Sequence, residues 1–311
     1  MNMTREKIMV VGVNGFVGKH LARELHDQNF DVYGTGMDDG ISLEIAGHVS
    51  DYTKCDLTAV DQIERLNFDG VTAVINLAGL ANVGASFGDE ARYKAVNVAV
   101  HTNIVDRIRT LGKNIRVLAI STGAVYDNHQ PMPLSEDSAL ASDTSPYALS
   151  KIAMEEALGG MIKSGQDIVI ARPFNHIGPG QLGGFLVPDL AQQIHSSDEV
   201  TVGNLETERD YTDVRDVVKA YVLLATTPHL AHRVYNVCSG KSTSGTSILE
   251  LLKTGLQKKD IPVIVDQSKI RPNDPAKVVG SNARIHDETG WTPTRELGQT
   301  INDYLASAFK S

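Results

Sequence analysis

The feature that most restricts how this 311-residue chain folds lies near its start. There the apolar run Ile8–Val13 passes directly into Gly12-Val13-Asn14-Gly15-Phe16-Val17-Gly18. A buried strand that ends in a glycine-rich turn and opens a helix, here carrying Phe16, Leu21 and Leu25, is the first βα unit of a parallel sheet. Gly12 suits the tight turn, Gly15 a close backbone approach to a pyrophosphate, and Gly18 contact between helix and sheet. The partial positive charge of the helix N-terminus favours that anion. Gly12, Asn14, Gly15, Phe16, Val17 and Gly18 are therefore expected around a dinucleotide. The spacing is G-x-x-G-x-x-G rather than G-x-G-x-x-G, so the glycines alone leave a structural turn open.

The rest of the first half repeats the pattern. Short apolar runs at Asp31–Thr35, Val71–Leu77, Ile115–Ser121 and Asp167–Ala171 alternate with helical segments around Thr58–Leu66, Asp89–Leu111 and Tyr147–Lys163. Runs apolar on both faces and separated by helices predict an α/β, Rossmann-like parallel sheet with helices on both faces. The stretch Arg172–Gly184 is too rich in Pro and Gly for a regular element and reads as a crossover. Beyond it the pattern gives a helix at Val187–His195, a strand at Val200–Val202, a helix at Asp213–Thr226 and a strand at Val234–Val237. Short mixed elements follow to Ser311, which predicts a smaller, discontinuous α/β C-terminal part.

Composition removes several functions. Lys+Arg is 29 against Asp+Glu 38, a net charge of −9, which argues against nucleic acid or anionic lipid as the main partner. Cys55 and Cys238 are too few for a disulfide scaffold or a four-cysteine zinc site, and no metal is expected. No apolar run approaches the roughly 18 residues of a membrane span, and Met1–Lys7 makes a poor signal peptide. A reducing, cytoplasmic setting is expected.

The cofactor ribose is expected at the tip of the second strand, Tyr33-Gly34-Thr35-Gly36-Met37-Asp38-Asp39. An acid there suits the 2′-OH of NAD and an Arg the 2′-phosphate of NADP. Gly36 and Met37 provide neither, so NAD and NADP both stay open. Asp56, with Leu57 beside it, is placed to meet the adenine, or equally to cap the helix that follows.

Tyr147 and Lys151 lie four apart at the start of a helix announced by Ser145-Pro146, hence on one face. Ser121-Thr122 ends a parallel strand, the end at which ligands bind in such folds. A phenol near pH ~10 is a poor acid at neutrality, and the Lys151 ammonium with an oxidised nicotinamide favours its phenolate. Tyr147 then protonates a carbonyl oxygen held by Thr122 while hydride reaches the carbon.

The glycine loop, Asn76-Leu77-Ala78-Gly79, Asn97, Ser121-Thr122, Tyr147 with Lys151, and Arg172-Pro173-Phe174-Asn175 follow one another in a familiar order. With them the chain resembles the extended short-chain dehydrogenases/reductases, the nucleotide-sugar epimerase, dehydratase and reductase group, over nearly its whole length. The resemblance implies that Leu77, Ala78, Gly79, Asn97 and Pro173 meet the cofactor together with Tyr147 and Lys151. It implies sugar-nucleotide contacts from Thr122, Asn175, Val187, Asn204, Arg209, Arg271 and Asp274. In that set the arginines take the diphosphate, Asp274 the nucleoside ribose, and Gly203-Asn204-Leu205 the guanine. It also implies residues 1–172 with 211–237 as the dinucleotide part, 173–210 with 238–311 as the substrate part, and a homodimer through the two long helices.

Sugar dehydratases of the family carry an acid where this chain has Ala124, so dehydration is not expected. The runs 172–181, 202–206, 209–216 and 235–240 resemble family members that reduce 4-keto-6-deoxy GDP-sugars. Reduction of GDP-4-keto-6-deoxy-D-mannose to GDP-D-rhamnose is the implied reaction, with stereochemistry at C4 open. A nucleotide-sugar 4-epimerase is the rival within the family, and a non-catalytic dinucleotide sensor the rival from another class. His176 reads as a loop histidine, Asp210–Asp216 as a charged helix start, Cys238 as a buried apolar residue, and Trp291 as an aromatic packed on the C-terminal part.

Overall fold

A computed structural model describes residues 5–270 and 274–309. In chain order its strands are β1 (Lys7–Val11), β2 (Asp31–Gly36), β3 (Asp51–Lys54), β4 (Val71–Asn76), β5 (Arg116–Ile120) and β6 (Ile168–Pro173). There follow β7 (Asn175–Ile177), β8 (Val200–Val202), β9 (Glu208–Asp213), β10 (Val234–Val237), β11 (Ser242–Ser244), β12 (Val263–Val265) and β13 (Lys277–Val278). The helices are α1 (Phe16–Asp27), the one-turn α2 (Val60–Ile63) and α3 (Val83–Ser86), α4 (Glu90–Thr110) and α5 (Pro146–Lys163). After them come α6 (Leu186–Ser196), α7 (Val214–Thr226), α8 (Gly245–Gly255), α9 (Ala283–Thr289) and α10 (Leu297–Ala308).

A seven-stranded sheet runs in the order β10-β6-β5-β4-β1-β2-β3, and every pairing in it is parallel. Alternate residues of one strand serve opposite faces. Ile8 and Val10 join Leu21 and Leu25 of α1 and Val217 and Tyr221 of α7, whereas Met9 and Val11 join Val100 and Ile104 of α4 and Met154 and Leu158 of α5. β1 lies between β2 and β4, so the chain leaves it in opposite directions and a crevice opens at the carboxyl ends of the strands.

The smaller part is built on β9, which pairs with β7 and β13 in parallel and with β11 antiparallel. Its core joins Val187, Leu190 and Ile194 of α6, Ile248 and Leu252 of α8, and Ile301 and Leu305 of α10.

Four expectations change in detail. The helix expected at Thr58–Leu66 shrinks to α2, because Leu57, Ile63, Leu66 and Phe68 all reach the sheet core at spacings one helical face does not offer. The Pro/Gly stretch holds the end of β6 and all of β7; Pro173 closes its strand, where a missing N–H is tolerated. Asp210–Asp213 lies in β9 rather than at a helix start, and Asp210 is 1% exposed, accepting from the N–H groups of Ser239 and Gly240 and the Ser239 hydroxyl. Trp291 packs into the core beneath α1 and α7 instead of on the C-terminal part, donating Nε1–H to the Asp216 carbonyl at 3.0 Å. Among the described residues no helix is long and apolar enough to cross a membrane.

Candidate active site

The glycine turn takes the shape its sequence demands. Gly12 has φ +78°, and a Cβ on Gly18 would sit 2.3 Å from the Gly12 carbonyl oxygen. Helix α1 begins at Gly15 with no side-chain cap, leaving its first N–H groups without intrahelical partners. Gly12, Gly15, Phe16, Val17 and Gly18 line a cleft of about 710 Å³ that runs along the carboxyl ends of the strands. Free amides at a helix N-terminus, on a turn whose glycines leave the backbone open to approach, form a donor set that fits the pyrophosphate of a dinucleotide.

Asn14 has another task. Its Nδ2 donates to Asp38 Oδ2 and to the Gly40 carbonyl, both at 2.9 Å, and its Oδ1 accepts from Ser42 N–H at 2.9 Å. The glycine turn is thereby tied to the loop after β2. Asp39 pairs with Lys54 at 2.6 Å, and Met37 is exposed. Asp56 Oδ1 accepts from the Thr58 N–H and hydroxyl, the local turn expected of a cap, and Leu57 is buried in the sheet core; neither lines the cleft.

Beyond β4, Asn76 Oδ1 accepts from Ala78 N–H at 3.0 Å. The fully buried Asn97 clamps Leu80, accepting from its N–H at 2.7 Å and donating to its carbonyl at 3.1 Å. This holds Gly79 at φ +147°, where a Cβ would strike Asn97 Oδ1 at 2.7 Å. Leu77 and Gly79 face the cleft, while Ala78 packs on the core behind it.

Ser145 caps α5, its Oγ accepting from Ala148 N–H at 3.2 Å with Pro146 in the first turn, so Tyr147 stands at the helix start and Lys151 one turn on. Thr122 follows β5 and lines the same cleft as Tyr147, its hydroxyl accepting from Ala124 N–H at 3.2 Å. Burial raises the Tyr147 phenol above its ordinary value, and the Thr122 hydroxyl works against that rise. Lys151 is not among the groups that set it: its Nζ donates to the Ile120 carbonyl at 2.8 Å, and the phenol keeps its proton at neutral pH. Lys151 is 5% exposed, and desolvation pulls its ammonium down to about 8 while Glu155 holds it up.

The other end of the cleft is formed by Pro173–Ile177, Gln181, Leu182, Phe185, Leu186, Val187, Arg209, Tyr211, Asp274, Pro275 and Val278. Asn175 and Val187 line it as expected from the resemblance, and Arg209 donates from Nη2 to Asp274 Oδ1 at 2.6 Å. Asn204 lies off the cleft in an exposed turn, its Oδ1 accepting from Glu206 N–H at 2.9 Å. Arg271 is outside the described residues. Ala124 opens on the cleft beside Thr122 and has no proton to move. Three polar groups of the wall escaped the sequence: Asn128, Gln181 and Tyr211. Asn128 Oδ1 and Gln181 Oε1 are buried without a hydrogen-bond partner among the described residues. Gln181 closes the run that begins at Arg172, which was a signal; Asn128 carries none. His176 lies parallel to the Phe16 ring at 6.2 Å, its Nδ1 near the Phe174 carbonyl, and desolvation lowers it. Among the described residues no group of three or more His, Cys, Asp or Glu is placed to hold a metal.

The profile of the NAD dependent epimerase/dehydratase family matches residues 8–238. The chain is 32% identical to GDP-6-deoxy-D-mannose reductase of Pseudomonas aeruginosa, over 97% of this chain and 96% of that protein. It is 26% identical to UDP-glucose 4-epimerase of Corynebacterium glutamicum, over 95% and 93%. Among solved structures, RMD from Pseudomonas aeruginosa complexed with NADPH superposes with a TM-score of 0.83 at 31% identity, covering 97% of both chains.

Proposed function

The chain belongs to the NAD dependent epimerase/dehydratase family, and on that premise we propose that it reduces the 4-keto group of GDP-4-keto-6-deoxy-D-mannose to give GDP-D-rhamnose. The observation that carries this is the meeting of Tyr147, Thr122 and Lys151 at the floor of one cleft, beside an Ala124 unable to assist dehydration. The relative at 32% identity, a GDP-6-deoxy-D-mannose reductase, supports the choice of substrate.

A reduced nicotinamide dinucleotide, NADH or NADPH, supplies a hydride to the carbonyl carbon when bound. Gly12, Gly15, Phe16, Val17 and Gly18 would receive its pyrophosphate; Leu77, Gly79 and Pro173 would line the nicotinamide end, with Ala78 and Asn97 supporting them from behind. Thr122 orients the sugar oxygen and Tyr147 gives it the phenolic proton, so the hydroxyl forms as the carbonyl π-bond is lost. Lys151 holds the nicotinamide ribose and places positive charge beside the phenolate that results. Arg209 takes the sugar diphosphate once Asp274 releases it. Residues 1–172 with 211–237 thus serve the cofactor, and 173–210 with 238–311 the sugar nucleotide. A homodimer on the outer face of α4 and α5, which pack together on one side of the sheet, completes the assignment; sedimentation equilibrium reads its mass.

A panel of GDP-, UDP- and dTDP-4-keto-6-deoxy sugars with NADH and NADPH, products read by NMR, tests the proposal. GDP-rhamnose is the expected product, and absence of reduction in every pairing sinks it. The 26% identity to a UDP-glucose 4-epimerase supports a second reading. An epimerase copurifies with its cofactor and turns over without added NADH or NADPH.

Turnover is expected to fall on the alkaline side with a midpoint near pH 8, where the Lys151 ammonium is lost. Its folded value lies below the ordinary 10.5, so between pH 8 and 10.5 the unfolded chain binds more protons and this group's contribution to stability rises with pH. A fall in rate without a fall in melting temperature across that window separates the two effects. A flat profile from pH 7 to 10 contradicts the assigned role.

A further inference from the structure

One turn beyond Lys151 on α5, the Glu155 carboxylate, 8% exposed, joins three segments of the chain. Arg172 of β6 donates from Nε to Oε1 at 3.0 Å and from Nη2 to Oε2 at 2.5 Å. Ser121, directly after β5, donates its hydroxyl to Oε1. Each segment carries a residue of the cleft floor: Thr122 follows Ser121, Pro173 follows Arg172, and Lys151 shares the helical face of Glu155. The guanidinium is itself fixed, donating from Nη1 to Tyr126 Oη at 2.9 Å and lying 4.9 Å from the centre of that ring. Tyr126 in turn donates to Asn236 Oδ1 at 2.7 Å.

A buried ion pair contributes little net stability beside apolar residues of similar volume, so stability alone gives slight reason to set one beneath a reactive site. We propose that Glu155, clamped by Arg172 and Ser121, is a positioning residue: it fixes Thr122, Lys151 and Pro173 relative to one another and supplies the negative charge that faces the Lys151 ammonium. The other titratable groups around this floor are Tyr147 on the same helix, His101 and Tyr93 on α4, Tyr221 on α7, and Arg172 behind Glu155. His101 is fully buried and driven down to about 3, so it stays neutral. Burial keeps Tyr147 and Tyr221 protonated. The charge on Lys151 is therefore set by desolvation on one side and Glu155 on the other.

This inference rests on Tyr147 and Lys151 being the reacting pair, so its test reads Lys151 with no substrate present. Trace acetylation by acetic anhydride over a pH series, measured by mass spectrometry with the exposed Lys163 as internal reference, gives the Lys151 midpoint. For the wild-type protein it is expected near 8. Glu155→Gln moves it down by about one pH unit and weakens NADH or NADPH binding, read by fluorescence, about tenfold. Glu155→Asp keeps the charge and holds the midpoint within about 0.3 units of wild type. Should the unpaired guanidinium prevent Glu155→Gln from folding, Glu155→Gln with Arg172→Met removes both charges and moves the midpoint the same way by a smaller amount. An unmoved midpoint in either folded variant overturns the proposal, and collapse of both overturns it in favour of a purely structural pair. A midpoint that moves while no sugar of the panel is reduced leaves this inference standing and removes the reductase assignment.

Discussion

Replacing Tyr147 by Phe lowers kcat for ketone reduction roughly 10³-fold while the dissociation constant of NADH or NADPH stays within about threefold. The change deletes one hydroxyl and keeps the ring that starts α5, so the helix, its Ser145 cap and the Lys151 contact to the Ile120 carbonyl persist. What is lost is the proton that Thr122 helps to aim. Stopped-flow single turnover, with fluorescence titration of the cofactor, separates the two quantities. A kcat within about tenfold of wild type would mean that another group carries the proton.

Gly18→Ala strikes the other end of the cleft. Its Cβ would lie 2.3 Å from the Gly12 oxygen, 2.6 Å from the Val13 oxygen and 2.7 Å from the Val13 carbonyl carbon, all backbone atoms unable to rotate aside. The turn has to move off α1, at an expected loss of about 1–3 kcal/mol in stability by urea denaturation. Cofactor affinity falls at least about tenfold, because the helix N-terminus no longer faces the turn that seats the anion. Gly15→Ala, with its single approach of 3.2 Å, serves as the mild control for stability only, since Gly15 itself faces the cleft. Equal affinity in the Gly18→Ala protein and wild type would remove the glycine turn from the binding site.

The parallel sheet was legible because β1, β2, β4, β5 and β6 are largely buried on both faces, whereas the half-exposed edge strand β3 has no such run; β8 and β10 fall at the bounds the pattern gives. β9 was not, since Glu208-Arg209-Asp210-Tyr211-Thr212-Asp213 has no apolar alternation. Its polar side chains are buried by partners far along the chain, such as Ser239 for Asp210, and local pattern carries no trace of them. The site divides in the same way. Tyr147, Lys151 and Thr122 were found from helix spacing and strand ends. Asn128 and Gln181 enter the cleft from irregular loops, where no period marks which side chain points inward. Asn14 was read as a cofactor residue from its place in the turn, yet its amide is committed to the loop after β2. The acidity of Tyr147 could not be read either, because burial rather than the neighbouring lysine dominates it.

That commitment of Asn14 has an outcome for any attempt at redesign. Its amide grips Asp38 and Gly40 with one atom and Ser42 with the other, so the loop after β2 and the glycine turn, the two segments proposed to receive the coenzyme's adenosine and phosphates, share a single fastening. Exchanging Asp38 for a basic side chain to welcome an extra phosphate also strips that fastening of an acceptor. On the proposed coenzyme site, choice and grip are then coupled through this one hydrogen bond, and Asn14 and Asp38 have to be exchanged as a unit.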